Sequence, residues 1–301
     1  MEQEGRMNLA VPLEMETVVC PCGGGGSPSE VFQTSTRRYV ACPACGLVFL
    51  SPRPSSSIVE EYYRESYDGS YGAAESSADR QPVFASVLAH LLEWRRPPGR
   101  LLDIGCGDGA FLMLCREAGW DCTGVEVSQG AAERARGKGL RVLSPAELGQ
   151  STGGPFDVVT LVNVLETVTD PAAIVRAMTH QVKAQGIIAV RVSNGLFHQR
   201  MRTPVRWCGA QYDQAFHLFS YSPSALKTLM ETSGFEVLSL RNSVPSLGPV
   251  TSANSWGRRL KWRLVGGGLS MAADLAYRLS AGRLVWAPSF ELIARRKDGV
   301  S

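Results

Sequence analysis

The stretch LLDIGCGDG at 101–109 decides the fold class. It reads as a short apolar strand carrying Asp103 near its end, then a glycine-rich turn, and it opens the segment AFLMLC at 110–115, which has helical character. Glycines at 105, 107 and 109 let the backbone take positive φ and approach a ligand closely, and the amides at the start of the following helix face whatever sits there. Dinucleotide-binding turns carry GxGxxG, whereas the spacing here is D-x-GxGxG, with Asp103 two residues ahead of Gly105. Alone, the stretch also reads as a buried parallel strand with a tight turn.

A second strand-like run, TGVEV at 123–127, brings Glu126 into the same neighbourhood with Ser128 after it, and a carboxylate there can take both hydroxyls of a ribose. FDVVTLVNVLETVTDP at 156–171 and QGIIAVRVSN at 185–194 follow as two further buried-strand patterns. With these motifs in this order, the chain resembles the class I S-adenosylmethionine-dependent methyltransferases over roughly 99–245. The resemblance implies an α/β, Rossmann-like seven-stranded sheet of order 3-2-1-4-5-7-6, its last strand antiparallel, with ligands at the carboxyl ends of the strands. Strands are expected near 100–104, 121–126, 140–143, 156–162, 186–192, 235–241 and 289–295. S-adenosylmethionine is the implied cofactor. Its implied contacts are Asp103, Gly105, Cys106, Gly107, Gly109, Glu126 and Val127, with Ala146 and Glu147 at the adenine edge and Asn163 at the methionine end or the acceptor.

Length and composition bound the rest. A chain of 301 residues, 44% hydrophobic and 20% charged, suits one large domain plus an appended module and argues against extensive disorder. The sequence has no long uncharged apolar run and no secretory signal pattern, so a cytoplasmic enzyme is expected. Eight cysteines in such a setting point to metal binding or reduced thiols rather than a disulfide framework.

Four of them cluster ahead of the glycine turn: Cys20 and Cys22, then Cys42 and Cys45, with the β-like RRYVA at 37–41 between the pairs. Paired thiolates on two tight turns can converge tetrahedrally on one ion, leaving no open position for catalysis, so a structural zinc ribbon is expected. CPACG with LVFLSPRP behind it resembles the zinc module ahead of some bacterial methyltransferases, including sugar C-methyltransferases. The first pair departs from that pattern, because one residue rather than two separates Cys20 from Cys22. Cys106, Cys115, Cys122 and Cys208 read as packing residues.

The expected organisation is a tail at 1–16, the zinc ribbon at 17–54, a linker and helical lid at 55–98, and the methyltransferase domain at 99–301 with a helical insertion at about 246–286 between its last two strands. In the lid, Tyr62, Tyr63, Tyr67 and Tyr71 offer aromatic faces to a sulfonium or substrate, or pack the lid on the core; Tyr67 and Tyr71, accompanied by glycines, are favoured as cofactor contacts. His90, on the apolar-patterned PVFASVLAHLLEW at 82–94, reads as a packing or surface histidine.

For catalysis, Glu166 follows Asn163 by one helical turn and reads as a base or as a structural cap. Relatives often have histidine where this chain has Thr167, which removes one obvious imidazole. His217 is the first candidate base, since it precedes the Ser222-Pro223 helix start at the mouth expected of the site; Tyr212 and His198 rank second. The chemistry asks little of side chains, because positioning a nucleophile against a sulfonium methyl supplies much of the rate.

The end of the chain is basic: from 256 onward nine Lys or Arg face three acids, a net of +6 in a chain of +3. The segment 256–283 therefore packs on the core or touches an anionic membrane or lipid-linked substrate, while nucleic acid is not favoured. The expected function is methyl transfer to oxygen or carbon of a small-molecule, sugar or glycan acceptor. A non-catalytic cofactor-binding scaffold and an enzyme acting on a macromolecule are the alternatives.

Overall fold

A computed structural model describes residues 14–23, 25–33, 37–66, 77–148, 154–207, 217–244, 268, 271–273 and 275–298. Tyr67, Tyr71, Tyr212, Cys208 and most of the basic segment 256–283 lie outside these residues.

Five short strands come first: β1 (Met15–Glu16), β2 (Ser29–Gln33), β3 (Arg38–Ala41), β4 (Val48–Leu50) and β5 (Arg53–Pro54). A helix at Ser56–Glu61 runs into a π-helical turn at Tyr62–Ser66, and a longer helix spans Ser77–Trp94. The remaining strands are β6 (Gly99–Ile104), β7 (Trp120–Val125), β8 (Arg141–Leu143), β9 (Phe156–Val162), β10 (Val182–Ser193), β11 (Phe219–Ser220), β12 (Phe235–Ser243) and β13 (Ser289–Arg296).

Seven of these make the central sheet, in the order β8-β7-β6-β9-β10-β13-β12. Its first five strands are parallel, and β13 runs antiparallel to both β10 and β12, as expected for the 3-2-1-4-5-7-6 pattern. β9 is buried at all seven positions, and apart from Asp157 and Thr160 it is the apolar run that a parallel strand covered on both faces requires. The largest boundary difference is at β10, which begins at Val182, ahead of the apolar run, because the helix Pro171–Gln181 leads directly into it and the register shifts between Val182 and Ile187.

Helix starts follow local chemistry. Ser128, Asp170 and Ser222 each accept the backbone N–H three residues on, and Pro171 and Pro223 occupy first helical positions where no N–H is needed. Between β12 and β13, helical turns occur at 271–273 and 275–279. No helix among the described residues is long and apolar enough to cross a membrane.

A second sheet joins β2, β3 and β4 to β11, pairing Phe49 with Phe219 and Val48 with Ser220. The N-terminal strands are thus completed by a strand from the far side of the chain. Leu50 N also donates to Leu218 O, and Leu218 N donates to Glu166 O, so one short loop bridges both sheets.

Candidate active site

The strand order reverses at β6, whose neighbours are β7 and β9, and a crevice opens at the carboxyl ends of these strands. Gly105, Gly107 and Gly109 have φ of +70°, +56° and +80°. The turn is tied to β7, since Gly105 N and Cys106 N both donate to Val125 O at 2.8 and 3.1 Å. At Gly105 a side chain is excluded twice over, by its φ and by Val164 Cγ2, which would sit 2.7 Å from a Cβ. Around Gly107 nothing among the described residues lies within 4 Å of a Cβ position.

Glu126 leaves β7 and turns its carboxylate back onto the loop. Oε2 accepts from Gly107 N and Oε1 from Ser128 N, both at 2.8 Å. Two amides therefore fix the carboxylate while each oxygen keeps a further lone pair. Asp103 lies beneath, 3% exposed, accepting from Thr160 Oγ1 at 2.6 Å. Burial pushes its carboxyl up to about 7, against the pull of Thr160 and Arg80.

A cavity of about 380 Å³ occupies this crevice. Gly105, Glu126, Val127 and Asn163 form its base, Val164, Thr167, Val168 and Ile174 one wall, and Val59 and Tyr63 reach over from the N-terminal segment. Its size matches one drug-sized ligand. Asn163, just beyond β9, holds φ +60°, donates its N–H to Arg191 O at 2.9 Å and accepts from the Arg191 guanidinium through Oδ1.

Several expected contacts stand apart from this cavity. Asp103, Cys106, Gly107 and Gly109 are not among its lining residues. Cys106 Sγ packs toward Gly124, in line with a packing role, and Gly109 caps the helix Ala110–Glu117. Ala146 and Glu147 belong to an exposed turn of helix at Pro145–Leu148 that does not line the cavity either. The Glu147 carboxylate accepts from both Ser144 N and Ser144 Oγ at 2.7 Å, and those hydrogen bonds hold it below its ordinary range.

Glu166 and His217 come together, although neither lines the cavity. Glu166 is fully buried; Oε1 accepts from Ser193 N at 2.8 Å, and Oε2 has no partner among the described residues. Burial pushes the His217 imidazole below its ordinary pKa while the Glu166 carboxylate opposes that shift, and His217 Nδ1 is enclosed without a partner among the described residues. His198, on the helix Gly195–Trp207, is pushed down to about 4 by burial, with His217 adding to the effect. His90 is a core residue, joining Glu291 at 3.1 Å and Ser239 at 3.0 Å.

At the second sheet, the Sγ atoms of Cys20, Cys22 and Cys45 lie within 4.8 Å of one another. Cys42, 2% exposed, is a further hydrogen-bond neighbour of Cys20. Hydrogen bonds from Cys22, then Cys42 and Cys45, draw the Cys20 thiol toward its thiolate, while burial pushes Cys45 up. The short Cys20-Pro21-Cys22 spacing still allows both thiols into the cluster.

Val59, Val168, Ile174 and Arg191 were not singled out by sequence reasoning. For Arg191 a signal existed, one guanidinium inside the apolar run IIAVRVS.

A family model described as a methyltransferase domain matches residues 77–240. The ubiquinone biosynthesis O-methyltransferase of Methylococcus capsulatus is 37% identical over 97 residues, 30% of this chain and 41% of that protein. The protein of the same name from Bordetella pertussis is 29% identical over 175 residues, 52% of this chain and 69% of that one. The chain spans about two fifths of the length of the first curated relatives it matches. Among solved structures, magnesium protoporphyrin IX methyltransferase from Synechocystis PCC 6803 with bound SAH superposes with a TM-score of 0.52 at 14% identity, covering 81% of this chain and 100% of that one, a likeness of fold.

Proposed function

Because the chain belongs to the methyltransferase-domain family, we propose that it transfers the methyl group of S-adenosylmethionine to an oxygen of a small organic acceptor. The observation that carries this reading is the cavity bounded by Gly105, by a Glu126 carboxylate fixed on two amides, and by Val59 and Tyr63 above. A pre-oriented carboxylate suits two ribose hydroxyls, and the clearance at Gly107 among the described residues suits a ligand lying on the backbone. When bound, S-adenosylmethionine would supply an electrophilic methyl on a sulfonium, with the neutral thioether of S-adenosylhomocysteine as its leaving group. The chain's part is to hold the cofactor through Glu126 and Asn163, to exclude water with Val59, Tyr63, Val168 and Ile174, and to position the nucleophile. His217 is the proposed proton acceptor, neutral through burial, with Glu166 beside it as the countercharge for the imidazolium it becomes.

The likeness to the Bordetella ubiquinone biosynthesis O-methyltransferase supports an oxygen acceptor on a small molecule. A sugar or glycan acceptor is the second reading, favoured by the cysteine cluster of the N-terminal sheet. There the proposed zinc ligands are Cys20, Cys22 and Cys45 with Cys42 as the fourth; buried, mutually close thiols suit that ion, and its role is structural. A reducing, cytoplasmic setting accords with these thiols.

Calorimetric titration with S-adenosylmethionine and S-adenosylhomocysteine tests the reading. Micromolar binding of both is expected, and Glu126→Ala weakens it by about tenfold or more through two lost ribose hydrogen bonds. No binding of either to the wild type overturns it in favour of a scaffold.

A further inference from the structure

We infer that Arg191 is a positioning residue that locks the Asn163 carboxamide with its nitrogen toward the cavity, making that wall a donor site for the carboxylate of the bound amino-acid moiety. The inference deepens the proposal above and rests on it.

A guanidinium carries only donors, so the oxygen of the Asn163 amide must be the atom that faces Arg191. The amide orientation is thereby set by chemistry. Nδ2 has no partner among the described residues, and Asn163 lines the cavity, so two N–H donors are left for a ligand there. The backbone is held from the same side: Asn163 N donates to Arg191 O, and this contact maintains the residue at φ +60°. Left-handed backbone at a non-glycine residue persists where the surroundings impose it, and such positions cluster at functional sites.

Arg191 is itself held rigidly. It is 1% exposed, with Nε on Ser243 Oγ at 2.9 Å and Nη2 on Val244 O at 2.8 Å. Ser243 Oγ in turn donates to Glu291 Oε1 at 2.8 Å. Glu291, 2% exposed, also accepts from Ser86 Oγ, Arg241 Nε and His90. The fork of one arginine thus spans β10, the residue beyond β9 and the end of β12, with β13 and the helix Ser77–Trp94 buttressing it. Strand packing alone asks for an apolar residue here, as at the neighbouring Val190 and Val192, both buried. A cation behind the amide makes its donor end more positive, which favours an anionic group at that wall, away from the carboxylates of Glu60, Glu126 and Asp170 in the same lining.

The test compares S-adenosylhomocysteine with 5′-methylthioadenosine, which lacks the amino-acid moiety. Asn163→Asp keeps the shape, pairs its carboxylate with Arg191 and replaces the cavity donor by an acceptor. The expected result is an unfolding temperature at or above the wild type, S-adenosylhomocysteine affinity lowered about tenfold or more, and methylthioadenosine affinity unchanged. Arg191→Lys, which keeps the charge but cannot span Asn163, Ser243 and Val244 together, shifts the two affinities in the same unequal way. Equal affinity of wild type and both variants for S-adenosylhomocysteine overturns the inference, as does an equal loss for both ligands. Failure of the wild type to bind either ligand instead removes the cofactor reading on which it rests.

Discussion

Replacing Asp103 by asparagine changes how stability depends on pH, by an amount the burial of this carboxyl sets. In the folded chain Asp103 is 3% exposed and titrates at about 7 instead of 3.8, because burial disfavours its charge more than Thr160 and Arg80 favour it. The unfolded chain ionises this group near its ordinary value. Below about pH 4 the group is protonated in both states and takes nothing from stability. As pH rises toward 7 the unfolded state releases a proton that the folded state retains, so stability falls; at about 1.4 kcal/mol per pH unit the loss reaches about 4 kcal/mol above pH 7. Asparagine has no proton to lose and still offers an oxygen to Thr160 Oγ1. The difference in unfolding free energy between Asp103→Asn and the wild type should therefore move in favour of the variant by about 4 kcal/mol from about pH 4 to about pH 8. Urea denaturation at intervals across that range measures both curves. Curves that run parallel refute the reasoning, since they mean that Asp103 ionises alike in both states.

Other expectations follow from the remaining groups. His217→Ala should bind S-adenosylhomocysteine as the wild type does but lose about 10²- to 10⁴-fold in kcat; untouched turnover would assign His217 to holding its loop. Burial lowers the His217 pKa, so wild-type kcat should stay level from the ordinary histidine range upward and fall only as pH drops below it, where the imidazole protonates. Elemental analysis should find one zinc per chain. A strong chelator, or Cys45→Ser, should remove the ion and lower the melting temperature, and a melting temperature indifferent to both speaks against the metal site.

The central sheet was legible because buried parallel strands are near-continuous apolar runs, and β9 and β6 are such runs with a glycine turn or an asparagine at their ends. The start of β10 was not, since Lys183, Ala184 and Gln185 interrupt the apolar pattern where the strand bulges, Gln185 taking a φ of +60°. The glycine turn, Glu126 and Asn163 carried their own signals in spacing. Tyr63 was named as one of the aromatic faces of the lid, whereas Val59 was not, because the segment around it is polar in composition and only its position over the crevice brings it to the cavity. The pairing of β4 with β11 was invisible, as Phe219–Ser220 is too short to show a period. Glu166 and His217 were named separately; their meeting depends on the loop that the same pairing anchors.

That pairing also bears on how the chain is made. Val48 waits for Ser220, about 170 residues later, before the edge of the N-terminal sheet is closed. Cys22 Sγ likewise finds its acceptor at Ala225 O, across a separation of 203 residues. At about 5 to 20 residues per second, synthesis leaves β4 without its partner for roughly 10 to 30 s. During that interval the nascent chain presents an open strand edge beside four uncovered thiols, a state prone to pairing with other chains. The N-terminal segment emerges first and finishes late, so a ribosome that stalls before residue 219 releases a product in which β4 is left as an unpaired edge.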